Sequence, residues 1–372
     1  MSNTIQRLYE QGQSVWCDNL SRRMLDAGEL QRLIDLGVVG VTSNPTIFMK
    51  AITGGNDYDR RIDELSSKGK EINDIYEALV LSDIADAADQ LRPVYDRTAG
   101  IDGYVSLEVN PKLAYDTDAT VAEARRLFQT LNRPNIMMKV PATAEGIPAI
   151  AALIGEGVNV NVTLIFSLAM YEQVMAAYLE GIKRLVKTGG DLSRAASVAS
   201  FFVSRVDTLV DKRLEARRSA GGQVDRLLGQ AAVANARLAY ERFEKTFGPN
   251  GEFNDLALKG ARVQRPLWAS TSTKNPAYSP TKYVDNLVAS NTVNTLPPDA
   301  LEATLKNGGT RIAIRDDLSP ARTLFDQLAA QGIRMDEVTD QLRIDGVKLF
   351  EQSFDDLLAN LERKRRQLRA TG

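Results

Sequence analysis

The sequence predicts an α/β fold, a single (β/α)8 TIM barrel with additional helices, and three observations carry that expectation. Eight short segments rich in β-branched or aromatic residues recur along the chain, most of them separated by amphipathic helical stretches. Strands alternating with helices form a parallel sheet, and eight of them suit closure into a barrel. A doubly wound open sheet is the alternative; it normally brings a glycine-rich first turn, and none is present.

The strands are expected at Val15–Leu20, Val38–Asn44, Tyr104–Val109, Asn135–Val140, Asn159–Leu164, Ser197–Phe202, Arg265–Ser270 and Asn291–Leu296. Helices are expected at Glu29–Leu36, closed by Gly37, at Thr120–Leu131 behind the capping candidate Asp118, and at Leu168–Lys187 before Gly189-Gly190. Two regions exceed a minimal barrel. Residues Val206–Gly248 read as helical, broken at Gly221-Gly222, so an enlarged crossover is expected over about 206–262. Residues 301–372 read as a helical extension, in which Val347, Phe350, Phe354, Leu357 and Leu361 mark one apolar helix face. With no internal repeat and no low-complexity linker, residues 1–372 are read as one domain.

Bulk composition narrows the function classes. Basic and acidic residues nearly balance, 46 against 48, so no global field points to nucleic acid or membrane. Hydrophobic residues make up 44% of the chain, enough for a large core, yet no apolar run reaches the roughly 18 residues of a membrane span. The polar start Met1 to Gln13 is unlike a signal peptide. Cys17 stands alone, which fits a reducing cytoplasm, and its neighbour Asp18 opposes thiolate formation, so it reads as structural. Histidine is absent, which argues against zinc-dependent, Ser-His and Cys-His chemistry. No metal and no cofactor are expected.

Lysine, carboxylates, hydroxyls and amides must therefore do the work. Lys139 ends the apolar run Asn135-Ile136-Met137-Met138 and precedes Val140-Pro141-Ala142-Thr143. A lysine held where a strand meets its loop, against apolar neighbours, can offer the free amine that Schiff-base chemistry needs. Side chains two apart share a strand face, and on that rule the polar residues line up. Asn159, Asn161 and Thr163 share one face, as do Ser106, Glu108 and Asn110; Thr42 pairs with Asn44, and Trp268 with Ser270. Asp18 lies at the end of the first strand and Ser200 late in the sixth. Each alone reads as easily as a satisfied polar contact or a cap. Together they point to the C-terminal mouth of a barrel, where such enzymes keep their active sites.

At these residues the chain resembles the transaldolase family. The matching stretches are Gly40-Val41-Thr42-Ser43-Asn44-Pro45-Thr46, Ser106-Leu107-Glu108-Val109 and Met138-Lys139-Val140-Pro141-Ala142-Thr143. They continue with Gly157-Val158-Asn159-Val160-Asn161-Val162-Thr163-Leu164 and Ser200-Phe201-Phe202-Val203-Ser204-Arg205, so the likeness runs from about residue 15 to about residue 300. The resemblance implies transfer of a dihydroxyacetone unit between sugar phosphates of the pentose phosphate pathway. On that resemblance Lys139 is the nucleophile, Asp18 takes the C4 hydroxyl proton, and Glu108 serves carbinolamine formation and dehydration through a water held with Thr163. Asn44, Asn161 and Ser200 hold the donor, Phe202 lines the pocket, and Arg205 with Ser270 binds phosphate.

The chain departs from the family in one place. An arginine usual two residues after the phosphate-binding serine is replaced by Ser272, and Lys274, helped by Ser272 and Thr273, is the candidate substitute. Arg205 could otherwise cap a helix or pair with Asp207. Trp268 and Phe201 read as wall and core, and the basic run Arg363-Lys364-Arg365-Arg366 reads as a solvated helix end rather than a nucleic-acid site. The expected partners are sugar-phosphate substrates, without nucleic acid or membrane, for a monomer or homodimer. A Schiff-base lyase that cleaves fructose 6-phosphate and a non-catalytic barrel are the competing readings.

Overall fold

The computed structural model describes residues 2–218 and 224–371, and its strands close into a parallel barrel in chain order. They are β1 (Gln13–Cys17), β2 (Gly40–Thr42), β3 (Tyr104–Glu108), β4 (Ile136–Pro141), β5 (Val160–Ile165), β6 (Ser197–Phe202), β7 (Arg265–Ala269) and β8 (Thr292–Leu296). β8 pairs back onto β1 from Gln13↔Thr292 to Cys17↔Leu296, which leaves no sheet edge. Two strands end two or three residues sooner than their composition suggests. β1 stops before Asp18, and β2 stops at Thr42 because Asn44 caps the helix Pro45–Thr53, its side chain accepting from the Ile47 amide at 3.0 Å.

The helix Leu168–Lys187 lies where the sequence places it, and Glu29–Asp35 ends just ahead of Gly37, whose φ of +107° suits glycine. The capping expectation at Asp118 is corrected: the helix begins at Thr117, Asp116 accepts from the Ala119 amide at 2.9 Å, and Asp118 sits in the first turn. The crossover after β6 carries helices Ser204–Glu215 and Ala231–Phe247; the break expected at Gly221-Gly222 lies outside the described residues. After β8 come helices Pro298–Asn307, Ser319–Ala330 and Met335–Thr371. Among the described residues no helix is long and apolar enough to cross a membrane.

The floor of the barrel is locked by a buried ion pair. Asp102, fully buried, accepts from Arg265 Nη2 and from Ser14 Oγ, both at 2.9 Å. Arg265 also donates to the Ile101 carbonyl at 2.8 Å, so its charge is satisfied from three sides. Asp102→Ala strands that guanidinium, and urea unfolding should show a loss of about 3–5 kcal/mol.

The C-terminal helix Met335–Thr371 runs across the barrel top. Thr46 Oγ1 donates to Ser353 Oγ at 2.9 Å, Lys112 pairs with Asp355 at 2.6 Å, and Lys364 pairs with Asp59 at 2.6 Å. The basic run is therefore not simply a solvated end. Lys364 also donates to the Ile52 carbonyl at 3.1 Å, and Arg369 to the Ser66 carbonyl at 2.7 Å, so this end of the helix is pinned to the chain that follows β2. Gly346 permits the close approach: a methyl group there would lie 2.9 Å from Leu164 Cδ2. Leu164 itself has φ +60°, at a register shift in β5 between Val162 and Ile165. Such a bulge re-aims side chains at a barrel rim.

Candidate active site

Strand ends deliver the site's side chains to a cavity of about 900 Å3 at the C-terminal mouth. Asp18, Asn44, Lys139, Thr163, Ser200, Phe202, Arg205, Ser270 and Lys274 all line it. Lys139 is only 5% exposed, and its Nζ lies 3.5 Å from Glu108 Oε2. Parallel pairing sets that distance, because Glu108 and Lys139 are register partners across β3 and β4, as Lys139 and Asn161 are across β4 and β5. Lys139 also donates to the Ser43 carbonyl at 3.1 Å, and the Phe350 ring centre lies 5.8 Å from its Nζ.

Burial pushes the Glu108 carboxyl up to about 7, against the opposing pull of the Lys139 charge. Glu108 Oε2 and Thr163 Oγ1 are buried and make no hydrogen bond among the described residues. Buried polar atoms with unused capacity suit a water or a substrate hydroxyl. Asn161 is held on both sides: it donates to Ser106 Oγ at 3.0 Å and accepts from Ser200 Oγ at 2.7 Å. Asp18 accepts from Thr42 Oγ1 at 2.7 Å, and Thr42 meets Thr295 Oγ1 at 2.7 Å. One carboxylate thus sits beside the lysine, and the other is fixed among hydroxyls.

Arg205 lies in the first turn of the helix Ser204–Glu215 with its guanidinium 5.2 Å from the Phe202 ring centre. It does not pair with Asp207, which is taken by Lys282 at 3.0 Å and Tyr283 at 2.9 Å. Burial lowers the Arg205 pKa, while the charges of Asp18 and Glu108 oppose that shift. Ser270 adopts φ +56°, and its hydroxyl lies 2.9 Å from Ser204 Oγ. Lys274 stands exposed at the rim with no ion pair among the described residues, whereas Thr273 spends its hydroxyl on the Ser279 carbonyl at 2.8 Å. Ser272 lines the cavity and Thr273 does not.

Several rungs of the expected polar ladder leave the site. Trp268 faces the helix layer, packed against Phe201, whose ring in turn meets Tyr171; the left-handed backbone at Ser270 breaks the alternation that would have paired the two. Asn159 ties strand starts together, donating to the Pro134 and Ile136 carbonyls, both at 2.9 Å. Asn110 caps a short turn at Pro111–Leu113. Conversely, sequence reasoning missed Thr295 and the Ser43 carbonyl. Thr295 follows the same alternation as the other strand ends, whereas a backbone oxygen leaves no trace in composition. Cys17 is buried and its thiol is pushed up to about 12, as a structural residue requires.

This arrangement has relatives. Residues 15–361 match the family described as transaldolase/fructose-6-phosphate aldolase. The chain belongs to that family. A transaldolase of Acidothermus cellulolyticus is 50% identical over 99% of both chains. Transaldolase 2 of Streptomyces coelicolor is 48% identical over 99% of both chains, and a transaldolase of Mycobacterium tuberculosis 47% over 93% of both. The match spans all eight barrel strands except the first two residues of β1 and extends into the C-terminal helix. Family membership therefore covers the cavity and the helix above it alike.

Proposed function

We propose that this protein is a transaldolase of the pentose phosphate pathway, moving a dihydroxyacetone unit from sedoheptulose 7-phosphate or fructose 6-phosphate to glyceraldehyde 3-phosphate or erythrose 4-phosphate. The observation that carries the proposal is the buried Lys139 amine 3.5 Å from a carboxyl whose pKa stands near neutrality. Lys139 attacks the ketose C2, and Glu108, with a water held by Thr163, moves the protons of carbinolamine formation and dehydration. The iminium then accepts the electrons of the C3–C4 bond while Asp18 takes the C4 hydroxyl proton. Asn44, Asn161 and Ser200 hold the three-carbon fragment, Phe202 walls it in, and Arg205 with Ser270 takes the phosphate.

A coupled assay separates transfer from simple cleavage. Transfer predicts erythrose 4-phosphate and fructose 6-phosphate from sedoheptulose 7-phosphate plus glyceraldehyde 3-phosphate; a lyase would instead release free dihydroxyacetone from fructose 6-phosphate at a comparable rate. The C-terminal helix favours transfer, because Phe350 and Ser353 cover the mouth and keep water from the fragment. Phe350→Ala should raise the ratio of dihydroxyacetone release to transfer by roughly tenfold. Lys274→Ala should raise KM for sugar phosphates about three- to tenfold at unchanged kcat, a size set by its exposure. An unchanged KM would remove Lys274 from the phosphate site. The near-neutral charge balance and the lone buried Cys17 suit a cytoplasmic enzyme, working as a monomer or homodimer and as one barrel unit.

A further inference from the structure

Glu108 lines not the mouth cavity but a second one, of about 340 Å3, which lies between β3, the helices Ile72–Arg97 and Thr117–Leu131, and the C-terminal helix. Its volume is many times what one water needs. Asn44 borders both this chamber and the sugar cavity, and Tyr76, Leu127 and Phe354 form part of its wall. The Tyr76 ring stands edge-on to Phe354 at 5.3 Å. Among the lining residues, Glu77 pairs bidentately with Arg126 at 2.7 and 2.8 Å, and Lys112 pairs with Asp355 at 2.6 Å. All four of those side chains are substantially exposed, so they mark the solvent end.

The chemistry requires such a passage. Attack by Lys139 Nζ forms a C–N bond at C2 and leaves a hydroxyl there. Protonation by Glu108 lets that C–O bond break; one water departs and the nitrogen lone pair closes the C=N bond. At the end of the cycle a water must return to C2 and Glu108 must recover its proton. At both moments a sugar phosphate fills the mouth, beneath Phe350. The chamber is an unsuitable entrance for the sugar: its cations are paired, while Glu108 and Glu123 face it as acids.

We propose that this chamber is a water port, through which the water of iminium formation and hydrolysis passes with Glu108 at its inner end. The proposal rests on the acid–base role given to Glu108 above. Leu81→Trp narrows the chamber from a half-buried position in its wall, and Leu127→Phe fills it from a buried one. With fructose 6-phosphate alone in 18O-labelled water, enzyme-dependent uptake of label at C2 and the single-turnover rate of iminium trapping are followed together. Both variants should lose roughly tenfold in both rates at unchanged sugar affinity. Folded variants, checked by circular dichroism, with wild-type exchange would overturn the port, provided Glu108→Gln is slow. If Glu108→Gln also exchanged at the wild-type rate, the acid–base role itself would fall, and the port with it.

Discussion

Lys139→Met should abolish transfer, with a fall in kcat on the order of 10^4-fold or more and no covalent trapping of substrate. The size follows from the mechanism, because without the amine there is no iminium to accept the electrons of the C3–C4 bond. Neither the 3.0 Å contact between Asn161 and Ser106 nor the hydroxyls around Asp18 can supply that sink. The fold should survive. Methionine matches the length of the side chain, and Glu108, already pushed up to about 7, can take up a proton rather than remain a buried unpaired charge. Circular dichroism and a steady-state assay on the purified variant test this directly. Residual activity within a hundredfold of wild type would place the nucleophile elsewhere.

The second large effect belongs to Glu108→Gln, which should cost roughly 10^2- to 10^4-fold, concentrated in iminium formation rather than in sugar binding. Its pH signature is specific. Below about 7 Glu108 carries its proton, and above it the carboxylate is free. Only the free carboxylate can take a proton from Lys139 and so leave a protonated acid beside an attacking amine, so wild-type kcat/KM should fall as pH drops through about 7. Lys139 is the nearest charge to Glu108, and Asp18 and Arg205 also act on it, so the observed midpoint belongs to the group. In the glutamine variant that acid limb should vanish. A limb that persisted unchanged would assign it to another residue.

Much of this was legible because barrels obey simple periodicities. β-branched runs between amphipathic helices placed all eight strands, the two-residue alternation grouped Glu108 with Ser106 and Asn161 with Thr163, and position along the strand marked Lys139 and Ser200, which β4 and β6 hold. The alternation misled wherever the backbone left the extended region. Ser270, at φ +56°, turns away from the face of Trp268, and no composition rule reports a positive φ on serine. Asn159 and Asn110 looked like site residues because an amide's partners are unknown until the neighbouring backbone is placed. Phe350 was legible as part of an apolar stripe, but its place above Lys139 depends on a helix that crosses the barrel far along the chain. Periodicity gives a face; only tertiary packing gives its target.

The mechanism stands or falls with covalent attachment of the substrate to Lys139. Borohydride reduction in the presence of fructose 6-phosphate, followed by peptide mass analysis, tests it most directly. A reduced three-carbon adduct should appear on the peptide containing Lys139, and none after Lys139→Met. An adduct on a different lysine, or no adduct on the folded wild-type enzyme, would contradict it.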